Sequence, residues 1–185
     1  MASRKTAVRK SSKSAARGRA ASRIAHSTST KRRDVKNRDR RTKTEGAIRG
    51  GRGRYQFTLA AVKDVPAGTG YSTSHGGVVE GERMLVGYIH KERGTGSRMH
   101  THKNEQFNYV VRGTLVGSVN GKKVVAPAGT LIYIPANAPH TLVAAAHDED
   151  VIFLAIKDLS QGIIGKAVDG KMTGPLYQKG FGPRD

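Results

Sequence analysis

The sequence predicts an all-β fold, two packed antiparallel sheets forming a sandwich or barrel, behind a long basic N-terminal tail. Three observations carry this. From Tyr55 onward, short runs rich in β-branched and aromatic residues recur between Gly, Pro and Asn breaks. No segment sustains a helical period. Residues 1–54 are basic and polar, with Val8, Ile24, Val35 and Ile48 as the only large aliphatic β-formers and no aromatic residue.

The tail, residues 1–54, holds too little apolar surface to offset ordering entropy and is expected to be disordered. It carries 19 Lys and Arg against Asp34, Asp39 and Glu45, a net charge of +16, which leaves +3 of the chain's +19 for residues 55–185. Clusters such as Lys31-Arg32-Arg33 and the Arg49-Gly-Gly-Arg52-Gly-Arg54 stretch fit polyanion or nucleic-acid contact by counterion release. A solvated extension without a role is an equal reading. An organelle transit peptide is a third, since the first 33 residues lack acids, though they also lack an apolar helical face.

A barrel is expected over residues 55–157. Its strands are read as Gln56–Val62, Arg83–Lys91, Gln106–Val111, Thr114–Val119, Lys122–Val125, Thr130–Ile134, Thr141–Ala145 and Val151–Lys157. Asn120-Gly121 favours the positive φ angles of a tight hairpin. Residues 158–185, with Pro175 and Pro183 among many glycines, are expected as an irregular tail over the barrel. The 185 residues suit one ordinary domain. No apolar run is long enough to cross a bilayer, so a soluble, cytoplasmic protein is expected. The chain has no cysteine, which removes disulfides and thiolate sites and leaves any metal to nitrogen and oxygen ligands.

Such ligands are present at telling spacings. His100 is followed after one residue by His102, after three more by Gln106 and after six more by Gly113; Gly129 is followed after five residues by Pro135, then by Asn137 and His140. In an extended segment, residues two apart share a face, so His100 and His102 project together. Even-numbered Gln106 shares their parity, whereas Glu105 is expected to face outward.

These two segments resemble the two motifs of the cupin family, in which a glutamate usually stands at the Gln106 position and a glycine at the Asn137 position. The resemblance implies a jelly-roll barrel, often dimeric, with His100, His102, Gln106 and His140 holding one divalent ion, whether Mn, Fe, Ni or Zn. Three imidazoles and an amide are all neutral, so the ion would keep its full charge and act as a strong Lewis acid. That favours isomerase or lyase chemistry on a small anionic or carbonyl-containing metabolite. Similar three-His, one-Gln sets occur in proteins resembling uronate ring-opening cupins and metal-dependent hydroxynitrile lyases. Two rivals remain: an iron dioxygenase with the same ligands, and a non-catalytic regulatory cupin whose tail reaches nucleic acid.

Around the site, parity sends Asn108 inward, toward a substrate oxygen or equally as an ordinary buried amide, and Phe107, Tyr109 and Val111 outward to a dimer interface or a covering strand. Tyr133 and Arg98 are candidates to orient a carboxylate. His75, on a Gly-rich stretch, is a candidate proton shuttle at the barrel mouth. No nucleophile elbow, phosphate loop or dinucleotide fingerprint occurs, which argues against serine hydrolase, nucleotide hydrolase and nicotinamide enzyme classes.

Overall fold

Alternating burial builds the layers. Along Met84–Lys91 the residues Leu85, Gly87, Ile89 and Lys91 are buried while their neighbours are more accessible, and Gln106, Asn108 and Val110 do the same in the next long run. Each strand thus turns one face to a common interior. The computed structural model describes residues 41–171 and 174–183, which lie in one compact unit.

In chain order the strands are β1 (Ile48–Arg49), β2 (Asp64–Pro66), β3 (His75–Glu80), β4 (Met84–Lys91), β5 (Thr95–Gly96), β6 (His100–Thr101), β7 (Gln106–Arg112), β8 (Thr114–Val119), β9 (Lys122–Pro127), β10 (Leu131–Ile134), β11 (His140–Ala144), β12 (Val151–Asp158), β13 (Lys166–Ala167) and β14 (Leu176–Tyr177). One sheet runs β1-β3-β4-β12-β7-β10, with β2 on β3; the other runs β13-β6-β11-β5-β14, with β8 on β11 and β9 on β8. The fold is the all-β double sheet expected. Val78, Leu85, Val110, Leu115, Ile134 and Phe153 fill the space between the sheets. At the β8–β9 hairpin, Asn120 and Gly121 take φ of 49° and 77°, the left-handed pair a tight turn demands.

Several expectations need correction. Gln56–Val62 is not a strand: Leu59–Ala61 forms a 3-10 turn with no buried residue, its backbone bonds closing locally from Ala61 N–H to Thr58 and from Val62 N–H to Leu59. His75 is not on a loop but opens β3, opposite His90. The following glycines serve close approach rather than flexibility; a Cβ at Gly76 would lie 2.0 Å from the Tyr88 carbonyl oxygen. Residues 158–185 are less irregular than expected, since β13 and β14 add edges to β6 and β5.

The largest correction concerns residues 41–54. The expected disorder of the first 40 residues lies outside the described residues, but 41–54 are held to the barrel. β1 runs parallel to β3. The fully buried Glu80 carboxylate accepts the Lys43 and Thr44 backbone N–H groups, each at 2.8 Å. The Thr44 hydroxyl in turn accepts the Ile163 N–H at 2.9 Å. Two backbone amides meeting the carboxylate offset the cost of burying it. The basic composition concealed this, since the anchor is backbone and not side chain.

Glu80→Gln places an NH2 against one of those amides and should lower stability by about 1.5–3 kcal/mol, measured by chemical denaturation. Deleting residues 1–54 should destabilise more than E80Q does, because it also removes the β1–β3 pairing and the Thr44–Ile163 hydrogen bond, and the two changes together should fall short of additive because they share the Glu80 contact.

Candidate metal centre

Three histidines reach one point from two motif segments. His100 on β6 and His140 on β11 are directly opposed across an antiparallel ladder, which brings their ring centroids to 4.0 Å. His102 follows just after β6, and its ring lies 4.8 Å from that of His140. All three are buried, and one candidate ligand nitrogen from each falls within a 4.8 Å group.

Their tautomers follow from the backbone. The His100 Nδ1–H donates to the Arg98 carbonyl at 2.8 Å, His140 Nδ1–H to Ala138 at 2.9 Å, and His102 Nδ1–H to Asn104 at 2.9 Å. A carbonyl only accepts, so the proton sits on Nδ1 and each Nε2 keeps its lone pair. Burial pushes the imidazoles well below their ordinary range, with His140 adding to the effect on His100 and Lys157 to that on His102. The values fall to about 2 for His100, about 4 for His102 and about 3 for His140. The triad is therefore neutral at physiological pH, the state a metal ligand requires.

Gln106 opens β7 and is buried with its amide aimed into the same space. Its Nε2–H donates to Asn108 Oδ1 at 2.5 Å, which fixes the rotamer and leaves Oε1 without a hydrogen-bond partner. His102 Nε2 is likewise buried without one. Two orphaned acceptors beside two further imidazoles are costly in a protein interior and are what a cation would satisfy. The residues present fit a divalent ion held by nitrogen and oxygen. Glu105 faces solvent, as its parity implied.

Supporting geometry comes from the loops. Asn104, fully buried, donates from Nδ2 to the carbonyls of Asp158 at 2.6 Å and Gln161 at 2.7 Å, holding the turn between His102 and Gln106. Asn137 takes φ of 61°, the left-handed conformation for which a glycine is the usual choice and which Asn tolerates. Its N–H donates to the His102 carbonyl at 2.8 Å and so ties the second motif to the first.

The sites named from sequence divide clearly. His100, His102, Gln106, His140 and Asn108 converge, and all but His102 line a cavity of about 40 Å³. His75, Arg98 and Tyr133 do not reach it. His75 Nδ1 pairs with Asp64 Oδ2 at 2.7 Å and its ring stacks 5.8 Å from His90. Arg98 donates to the Gly174 carbonyl at 2.8 Å, and Tyr133 lies outward against Phe107 with ring centroids 5.1 Å apart. Sequence reading missed Tyr71, Lys91 and Lys157. Tyr71 is buried 4.7 Å from the His100 ring, and its hydroxyl accepts the Gly165 N–H at 2.7 Å. Burial pushes that phenol up to about 12. Lys91 lines the cavity, and Lys157, buried beside Gln106 in the β12–β7 register, donates to the Ile163 carbonyl at 2.9 Å. Strand alternation was the signal for both lysines, which share parity with Ile89 and Ala155.

Residues 87–157 match the Cupin domain family, a stretch that runs from within β4 into β12 and contains both histidine segments. This cupin-domain match lies within the barrel and covers less than half of the chain. Among solved structures the chain is similar to an RmlC-like cupin from Shewanella frigidimarina (20% identity, covering 52% of this chain and 82% of that one, TM-score 0.43). It is also similar to TT1209 from Thermus thermophilus (23%, 43% and 75%, TM-score 0.39) and to KdgF from a Halomonas species (23%, 41% and 69%, TM-score 0.38). No curated protein matches the sequence significantly. No helix among the described residues is long and apolar enough to cross a membrane.

Burial pushes Lys91 and Lys157 down to about 7 in the folded state. Between that value and the ordinary lysine range near 10.5, the unfolded chain binds protons that the folded chain does not, so stability rises with pH across this window. Above about 10 the raised Tyr71 acts in the opposite sense. The thermal midpoint of metal-free protein should therefore climb from pH 7 to about pH 10 and climb less in Lys157→Met.

Proposed function

We propose that His100, His102, Gln106 and His140 hold one divalent metal ion and that the chain is a metal-dependent cupin enzyme acting on a small oxygenated metabolite. The observation that carries this is the triad of Nδ1-to-carbonyl hydrogen bonds, which leaves three neutral Nε2 lone pairs close together, and the buried Gln106 amide oxygen without a partner in the adjoining cavity supports it. An ion bound there would supply Lewis acidity toward a carbonyl, hydroxyl or carboxylate oxygen, undiminished by any anionic ligand. That chemistry suits isomerase or lyase reactions, in which negative charge develops on a substrate oxygen.

The surrounding residues support the same reading. Asn108 keeps the Gln106 oxygen pointed into the cavity and not toward its own amide neighbour. Tyr71 retains its proton at neutral pH and accepts from Gly165, so its O–H is directed elsewhere and can donate to a substrate oxygen. Ile89, Leu142, Phe153 and Ala155 line the cavity and lower its dielectric, which strengthens each of these polar interactions. The cavity of about 40 Å³ favours a ligand of few atoms. The dimer proposed for this barrel would use the outward row of β7 and β10, where Tyr109, Val111, Leu131 and Tyr133 are 41–56% exposed.

Protein purified without chelators should contain close to one equivalent of Mn, Fe, Ni or Zn by elemental analysis, and His140→Ala should reduce it to background. Asn108→Leu, which frees the Gln106 amide, should weaken metal affinity about 10–100-fold. Activity that persists under anaerobic conditions removes the rival dioxygenase reading; activity that requires oxygen removes the isomerase or lyase reading. The reading of the tail as a nucleic-acid contact is separable: deleting residues 1–40, which keeps the barrel-bound segment 41–54, should abolish salt-sensitive binding and leave the metal content intact.

A further inference from the structure

The cavity contains a polar group that the metal ligands do not use. Lys91 ends β4 on its inward face and is 3% exposed. Its Nζ crosses from one sheet to the other and donates to the Leu142 carbonyl at 2.6 Å. That same oxygen also receives the Ser97 N–H at 3.1 Å and the Ser97 hydroxyl at 3.2 Å, so the ammonium and the serine stand side by side. An ammonium has three N–H donors, and Leu142 engages one. The cavity-lining residues include no carboxylate, and Lys91 makes no ion pair among the described residues.

A buried cation with no anion is expensive in a low-dielectric interior, and the remedy is either loss of the proton or a counter-charge brought from outside. The surroundings fit the second. Ser97 and Tyr71 line the same cavity as Lys91, together with the apolar Ile89 and Phe153. Lys91 also lies 5.8 Å from the Phe153 ring centroid, over the ring.

We propose that Lys91, with Ser97 beside it, is the anchor of a carboxylate subsite, so that the substrate is a short-chain carboxylic acid bound with its carbon skeleton against Phe153 and its remaining oxygens toward His100 and His140. This deepens the reading of the chain as a metal-dependent cupin enzyme and rests on it for the reacting end; capture of the carboxylate itself needs only Lys91.

The test is titration of full-length protein with acetate and with its neutral isostere acetamide, followed by calorimetry and by the 13Cε resonance of Lys91, both as purified and after metal stripping. Acetate should bind saturably in both forms, acetamide and inorganic phosphate at least about tenfold more weakly, and Lys91→Met should lose about 10–100-fold in acetate affinity with unchanged metal content. Equal acetate affinity in K91M, no saturable acetate binding by wild type, or a Lys91 13Cε resonance unmoved by acetate overturns the proposal, the last reading requiring no variant. Absence of metal with acetate binding retained in stripped protein would sink the histidine reading alone. Metal retention with acetate binding indifferent to Lys91 would sink the carboxylate subsite alone.

Discussion

Everything at the centre of this barrel depends on a short local constraint, the hydrogen bond from each histidine's Nδ1–H to a backbone carbonyl two residues away. His100 and His140 reach back to Arg98 and Ala138, and His102 reaches forward to Asn104. Each bond fixes both the ring's orientation and its tautomer, so convergence of the three Nε2 atoms is set by the chain itself and not by an occupant. The antiparallel pairing of β6 with β11 then supplies the distance, because it opposes His100 to His140 in register.

The charge pattern around this point is one-sided. Imidazoles held neutral by burial, two amides, a protonated phenol and the inward-facing Lys91 and Lys157 make an interior with hydrogen-bond donors and potential positive charge but no nearby carboxylate among the cavity-lining residues. The fully buried acid Glu80 spends both oxygens on the Lys43 and Thr44 amides and is occupied with holding the N-terminal segment. The interior separates a structural carboxylate from a donor-rich cavity, although β3 and β4 are adjacent strands.

Much of this was legible in the chain. The motif spacing brought out His100, His102, Gln106 and His140 because a β-strand's two-residue period turns sequence separation directly into side-chain direction. Asn137 was legible as the stand-in for a glycine, and the structure supplies the reason in its positive φ. What was not legible depended on partners distant in sequence. Arg98 and Tyr133 looked available for a ligand because their charge and hydroxyl are visible in the sequence, while the Gly174 carbonyl that engages Arg98 and the outward placement of Tyr133 beside Phe107 and Glu105 are not. His75 looked mobile beside its glycines, yet Gly76 leaves room for the Tyr88 carbonyl and Gly77 for Leu59 and Val62. Residues 41–54 looked like tail because composition reports side chains, whereas their attachment runs through backbone amides. Lys91 and Lys157 were within reach of the same alternation rule that found Gln106, but a charged residue at an inward position is easily taken as a strand end.

The cross-strand placement of the histidines also bears on what keeps the barrel together. Small zinc domains are built around their ion and unravel when it is withdrawn, because the ligands have no other reason to meet. Here the hydrophobic filling between the sheets and the carbonyl tethers assemble the pocket beforehand, and imidazoles that resist protonation do not repel one another when vacated. An ion in such a place is a guest of a finished building, exchangeable without demolition, and the identity of that guest is set by supply and ligand chemistry more than by any need of the fold.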